Sequence, residues 1–290
     1  MGTLGDGTDS IAQQIADENH WPELRAVILV VSDREKDTSS TAGMQTSIQT
    51  SPLLRFRADE VVESRLRDIE NAYLHHDFET FGRITMQDSN QFHATCLDTY
   101  PPIFYMNDVS RMIIRIVHVI NDFYGCIKLA YTFDAGPNAV VYCLEEESRM
   151  FMSVVSKYFP AAGDYSDYCN DGRAFESAVS SQSSLPIELL RRLDMTGRVP
   201  QSGDVKYVFL TRAGPGPQCL DSSQAMLDTD TGLPNEVGRN IKRMKVSSEP
   251  AKECNKSTHC CKTGKIAVSC VIGAACVALG YLLAGRCQKR

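Results

Sequence analysis

The chain has no basic surplus. Its 290 residues carry 30 Lys and Arg against 36 Asp and Glu, a net charge of −6, whereas nucleic-acid-binding domains usually carry a cationic excess. Its first residues do not read as a secretory leader either. Residues 1–25 are polar and acidic, and the first apolar run, 26–31, is too short to serve as one. No segment repeats. There is no HExxH, no paired CxxC, no GxGxxG and no Walker-type phosphate loop, so the common zinc, dinucleotide and P-loop readings have no motif to rest on. Apolar residues are not scarce: at 43% apolar and 23% charged, global disorder and collagen-like structure are excluded. This length fits one large domain or two ordinary ones.

The average charge conceals a division. Residues 1–235 hold 19 basic against 33 acidic side chains, and residues 236–290 hold 11 against 3. An acidic globular body is therefore followed by a short basic tail. Cysteine divides the same way. Cys96, Cys126, Cys143, Cys169 and Cys219 are scattered through the body, and six more lie between Cys254 and Cys287. Scattered thiols without regular spacing point to reduced, mostly buried side chains facing a reducing compartment. Cys254, His259, Cys260 and Cys261 lack zinc-finger spacing.

Residues 24–31 (LRAVILVV) read as a strand buried on both faces. A polar loop over 32–43 precedes a long helical pattern in which Leu54, Ala58, Val62, Leu66, Ile69 and Tyr73 form one apolar face. A second helix is expected from Phe78 to about Cys96, with Phe81, Ile84 and Phe92 inward. After Pro101-Pro102, Asn107 or Asp108 can cap a third. Strands are expected at 127–133, 139–144 and 205–211, with a helix over 146–159. Residues 160–203 read mostly as loop, with a short helix near 187–193. Mixed strands and helices give an α/β or α+β body.

Three stretches could carry chemistry. Asp37 to Met44 (DTSSTAGM) places four hydroxyls just before a helix. Hydroxyls and free N–H groups there suit an anion, and simple N-capping is the alternative. Asp134, at the end of an apolar strand and followed by Ala135-Gly136-Pro137-Asn138, stands where ligands meet α/β sheets. Partial desolvation would raise its basicity and suit a general base; an Asx-turn is the rival reading. At Asp88-Ser89-Asn90-Gln91-Phe92-His93 polar groups crowd an otherwise apolar helix, implying a polar pocket or a hydrogen-bond network. His93 reads there as a core or pocket-wall histidine rather than a metal ligand.

Read together, these stretches resemble diphosphomevalonate decarboxylase, of the GHMP kinase superfamily. The resemblance is carried by Ser39 to Met44 (SSTAGM), Asp88 to Cys96 (DSNQFHATC), Pro101 to Asn107 (PPIFYMN) and Tyr131 to Ala139 (YTFDAGPNA). Gly214 to Pro217 (GPGP) and Thr231 to Pro234 (TGLP) extend it. It runs in order from residue 1 to about 236. It implies an α+β fold: a GHMP-kinase-like C-terminal α/β sandwich domain over 23–236, with 1–22 left from the preceding domain. It also implies conversion of mevalonate 5-diphosphate and ATP, with Mg2+, to isopentenyl diphosphate, ADP, phosphate and carbon dioxide, for isoprenoid and sterol synthesis. By resemblance Asp134 faces the substrate's 3-hydroxyl as base or orienting group. Ser39, Ser40 and Thr41 contact the substrate, Met44 forms an apolar wall, and a homodimer is expected. Family members carry an N-terminal half with the ATP-phosphate loop ahead of the point where Met1 falls. The alternative is accordingly a membrane-tethered interaction module without catalysis.

Beyond the resemblance, residues 266–285 (IAVSCVIGAACVALGYLLAG) form 20 uncharged positions with Lys262 and Lys265 on one flank and Arg286, Lys289 and Arg290 on the other. As a helix they would span about 30 Å, the thickness of a bilayer core. The sequence-based expectation is therefore a basic, Cys-containing linker over 237–263 and a transmembrane helix over 264–286, holding a cytosolic body at an intracellular membrane.

Overall fold

The computed structural model describes residues 8, 9, 11–32, 38–216, 221–228 and 231–233. The chain divides into two compact units, the first running through Ala213. In the second, Gly232 donates its N–H to the Asp228 carbonyl (2.9 Å), and the Asp228 N–H reaches the Leu233 carbonyl (2.9 Å). All that follows belongs to the first unit.

Its sheet has four strands in the order β2-β3-β1-β4, every pair antiparallel. The strands are β1 Leu24–Val30, β2 Leu129–Phe133, β3 Ala139–Leu144 and β4 Tyr207–Thr211. In register, Val27 faces Val141 on one side and Leu210 on the other. The helices are α1 Ser40–Thr50, α2 Pro52–Phe56, α3 Val62–Leu74, α4 Phe78–Asp98, α5 Asp108–Tyr124, α6 Glu145–Tyr158, α7 Tyr165–Tyr168, α8 Gly172–Ser180 and α9 Ile187–Asp194. Helices α4 and α5 pack along β2, and α6 packs on β1 and β3. The core between them includes Val27, Leu29, Ile116, Val117, Ile120, Leu129, Tyr131, Val141, Phe151 and Tyr158.

Local chemistry accounts for most boundaries. Asn107 caps α5 in a reciprocal capping box with Ser110, and Gly125 ends it with a left-handed φ of 70°, which a residue with a Cβ rarely adopts. Asp77 caps α4 by accepting from the Thr80 N–H. The long pattern over 54–73 is interrupted by a π-helical turn, Arg57–Val61. This turn carries Arg57 to 3% exposure and leaves Leu66 and Ile69 only half-buried. A wider turn shifts the inward face by a residue, which an even spacing count cannot register.

Several expectations are corrected. Strand β1 is not uniformly buried: Val27 and Leu29 are wholly enclosed, Ile28 and Val30 only partly, as in an antiparallel sheet with one better-covered face. Residues 160–203 hold two helices, α7 and α8, where loop was expected. Asp171 caps α8 and Phe175 is fully buried within it. The fold class is α+β; the added membrane helix finds no support among the described residues. No helix among the described residues is long and apolar enough to cross a membrane. The stretch 264–286 lies outside the described residues, as do Cys219, Cys254, His259, Cys260 and Cys261. Cys96, Cys143 and Cys169 are buried free thiols, whereas Cys126 is exposed.

Asn121, near the end of α5, sets where β2 begins. Its Oδ1 accepts from the N–H groups of Lys128 and Leu129 (3.0 Å each), and its Nδ2 donates to the Leu129 carbonyl (2.9 Å). Asn121→Ala strands those groups against the core and should cost about 2–4 kcal/mol in chemical denaturation of the 290-residue chain. A loss under about 1 kcal/mol would mean that water substitutes for the side chain.

Candidate functional site

The hydroxyl cluster forms the start of α1. Ser39 has extended backbone and its Oγ accepts from the Ala42 N–H at 3.1 Å; the capping reading therefore holds for Ser39. Ser40 is half-buried and Thr41 exposed in a first turn that contains no acidic residue, and Met44 is half-buried one turn later. The far end of α1 is fixed to α4. Ser47 Oγ meets Thr99 Oγ1 at 2.7 Å, Thr50 Oγ1 accepts from the Tyr100 N–H at 3.0 Å, and the Asp98 carboxylate accepts from the Ser51 hydroxyl at 2.7 Å.

Asp134 opens the β2–β3 hairpin turn. The crevice rule that singled it out belongs to parallel sheets, so here its position comes from the hairpin. The Gly136 N–H donates to the Asp134 carbonyl at 2.7 Å, so backbone closes the turn. The Asp134 carboxylate is exposed and makes no side-chain hydrogen bond among the described residues. The expected partial desolvation is absent because the side chain stands at the tip of the hairpin. Its neighbours anchor the turn instead. Asn138 Oδ1 accepts from the Val31 and Ser32 N–H groups (2.8 and 3.0 Å), the Ser110 hydroxyl donates to the Pro137 carbonyl (2.8 Å), and the Phe133 N–H donates to Ser89 Oγ (3.0 Å).

Tyr105 joins the two halves. It is buried with Cys96 and Ile103 in a small cluster against which Phe92 and Ala135, the residue after Asp134, pack. Its hydroxyl approaches the Ser39 carbonyl at 3.4 Å. A Cβ on Gly43 would fall 2.4 Å from that hydroxyl, a distance only glycine permits. Burial foremost, then Cys96 and the Asp134 carboxylate, push the Tyr105 phenol up from its ordinary value, keeping it a proton donor. The Ser39 carbonyl, Gly43 and the Asp134 carboxylate thus all bear on one tyrosine. Sequence reading gave Tyr105 and Gly43 no role. Gly43 read as the end of the polar loop over 32–43; its place inside α1, where glycine costs about 1 kcal/mol against alanine, emerges only from the structure.

The crowded polar face of α4 resolves into separate tasks rather than one pocket. Asp88 receives both Arg57 (2.7 Å) and Arg65 (2.9 Å), with Gln91 accepting from each guanidinium. Burial pushes the Asp88 carboxyl up, but the two guanidiniums outweigh it and hold it below its usual value. Asn90 accepts from the Tyr131 hydroxyl at 3.0 Å. His93 is 4% exposed, lies edge-on to Phe133, and its Nε2 is the buried side-chain nitrogen without a partner among the described residues. No three His, Cys, Asp or Glu side chains group as a metal site among those residues.

Burial pushes His93 down from 6.5 to about 4, against the pull of the Phe133 backbone. The unfolded chain therefore takes up a proton first. Stability should be fully present above pH 6.5 and decline by about 3 kcal/mol as pH falls through 4. Denaturant melts of the wild-type chain and His93→Leu between pH 7 and 4 check this: the variant should lose up to one proton's worth of slope. Parallel pH curves would show that His93 is charged in the native state.

Residues 26–220 match the model of the mevalonate 5-diphosphate decarboxylase C-terminal domain. The diphosphomevalonate decarboxylase of Homo sapiens is 48% identical over 235 residues, covering 81% of this chain and 56% of the relative. That of Saccharomyces cerevisiae is 44% identical over 242 residues, covering 81% and 58%. Among solved structures, mevalonate diphosphate decarboxylase from Trypanosoma brucei superposes with a TM-score of 0.69 at 32% identity, over 78% of this chain and 58% of that one. A 2.3 Å crystal structure of mevalonate 5-diphosphate decarboxylase gives 0.64 at 43%, over 80% and 57%. The chain spans a little over half the length of these relatives. With two thirds of its residues inside the model of the C-terminal domain and the hairpin, α1 and α4 all within the match, the chain belongs to the mevalonate 5-diphosphate decarboxylase family.

Proposed function

We propose that this chain supplies the acid–base and substrate-contacting half of an ATP-dependent decarboxylase that acts on mevalonate 5-diphosphate. The observation that supports it is the meeting, around Tyr105, of an uncommitted carboxylate and the first turn of a helix rich in hydroxyls. In this reading the Asp134 carboxylate accepts or orients the proton of the substrate's tertiary 3-hydroxyl, which must lose it to become a nucleophile. The hydroxyls of Ser40 and Thr41, at the positive end of the α1 dipole, donate to an anionic group of the substrate without adding a full charge. Ser39 shapes that turn through its cap, and Met44 closes the apolar side.

ATP and Mg2+ find no matching donor set among the described residues, which contain no metal-ligand cluster and no phosphate loop. The domain division at 22/23 and 236/237 and a homodimer belong to the same proposal.

Two measurements test it. The 290-residue chain alone should release no carbon dioxide from mevalonate 5-diphosphate and ATP, because phosphoryl transfer depends on a cradle for the phosphates. An in-frame fusion placing the human relative's unmatched N-terminal portion before this chain should release it. In that fusion Asp134→Asn should lower kcat by about 10²–10⁴-fold with KM little changed, whereas Ser40→Ala and Thr41→Ala should act chiefly on KM. Near-normal turnover by the Asp134→Asn fusion would reduce the carboxylate to a turn residue. An inactive unmodified fusion would defeat the reading altogether.

A further inference from the structure

We infer that Tyr105 is a positioning residue of this site: wedged against Gly43, its phenol sets the separation between the first turn of α1 and the Asp134 turn. The inference rests on the decarboxylase reading above.

The segment that carries Tyr105 is a short strap fixed at both ends. It enters through Pro101-Pro102, where the Ile103 N–H donates to the Cys96 carbonyl at 2.9 Å, and it leaves at Asn107, the cap of α5. Between these points the chain alternates: Ile103 and Tyr105 are buried at 8% each, whereas Phe104 between them is 74% exposed. The Tyr105 ring therefore cannot swing outward without lifting Ile103 and the cluster with Cys96 and Ala135. On its other side the phenol meets backbone rather than a compliant side chain. At Gly43 an added Cβ would stand 2.4 Å from the hydroxyl, 3.3 Å from Ile103 Cδ1 and 3.5 Å from the Tyr105 Cζ. The hydroxyl also approaches the Ser39 carbonyl, which already accepts the Gly43 N–H at 2.9 Å. At 3.4 Å that bond is long for O–H···O, so contact with the helix backbone contributes more than hydrogen-bond strength. Helix α1 thus rests on a rigid aromatic spacer whose cluster packs against Ala135 of the Asp134 turn. A substrate held between the two elements would feel any change in its size, since displacements of about 1 Å can cost two orders of magnitude.

The hydroxyl is the obstructing atom, and this gives the test. In the fusion enzyme, Tyr105→Phe should raise KM for mevalonate 5-diphosphate by about three- to tenfold and leave kcat within about twofold, the opposite of the kcat loss expected for Asp134→Asn. Gly43→Ala should raise KM further, because the new methyl pushes the hydroxyl away. Adding Tyr105→Phe to Gly43→Ala should then recover most of that loss, since the nearest ring atom left is at ordinary contact distance. The same pair in denaturant melts of the 290-residue chain should show the same non-additivity. Additive effects on KM, or an unchanged KM in Tyr105→Phe, would overturn the inference and leave Tyr105 as packing only. If the unmodified fusion is active, such a result leaves the decarboxylase reading standing; if it is inactive, both fall.

Discussion

A polar side chain buried against a strand is tolerable only if it finds a partner, since each orphaned group costs about 1–3 kcal/mol. In this domain that requirement places the β2–β3 hairpin. Asn121 of α5 satisfies the start of β2, Ser89 of α4 accepts from the Phe133 N–H at its end, and Ser110 of α5 holds Pro137 within the turn. Asn138 then ties the far side of the turn to the end of β1. Four side chains, none of them at the reacting position of the proposed chemistry, fix the backbone on both sides of Asp134. Apolar packing alone would leave the hairpin free to slide by a residue or tilt; directional bonds at both ends do not.

The charged groups of α4 follow the same economy. Arg57 at 3% exposure would be costly alone, but it shares Asp88 and Gln91 with Arg65, so the π-helical turn, α3 and α4 are clamped together. His93, one turn further on, carries no charge to compensate and stays neutral by burial. The acid-facing and apolar-facing sides of one helix thus meet opposite electrostatic demands within six residues.

What could be read from the sequence follows from this division. Strands β2 and β3 and the Asn107 cap were legible because each depends on local chemistry, an apolar run or a capping side chain; the first turn of α1 was not, since 40–43 read as part of a polar loop. The antiparallel strand order was not, because β1 reaches β3 across more than a hundred residues and pairs with β4 still farther along the chain. Helix α8 was hidden by its serines and glycine, and its fully buried Phe175 makes sense only once α6 lies beside it. The π-helical turn escaped a spacing count for the reason that it breaks the spacing. Asp134 was singled out partly for a reason that does not apply: the crevice argument presumes parallel strands, and the residue stands at a hairpin tip instead. Tyr105 and Gly43 were invisible as a pair, since neither means anything until the strap after Pro102 is laid over α1.

The exposure of Asp134 then has a physical sense. A carboxylate that closes its own turn is spent: its lone pairs are committed to backbone N–H groups, which lowers its basicity and fixes its orientation. Here the Gly136 amide goes to the Asp134 carbonyl, Asn138 performs the anchoring a turn acid would have done, and the carboxylate remains uncommitted among the described residues. A residue meant to exchange a proton with a ligand has to be held in place without using the atoms that do the exchanging. In the proposed function the holding falls to Ser89, Ser110 and Asn138 and the spacing to Tyr105, so that the position of the group is set by the fold while its chemistry is left to whatever binds beside it.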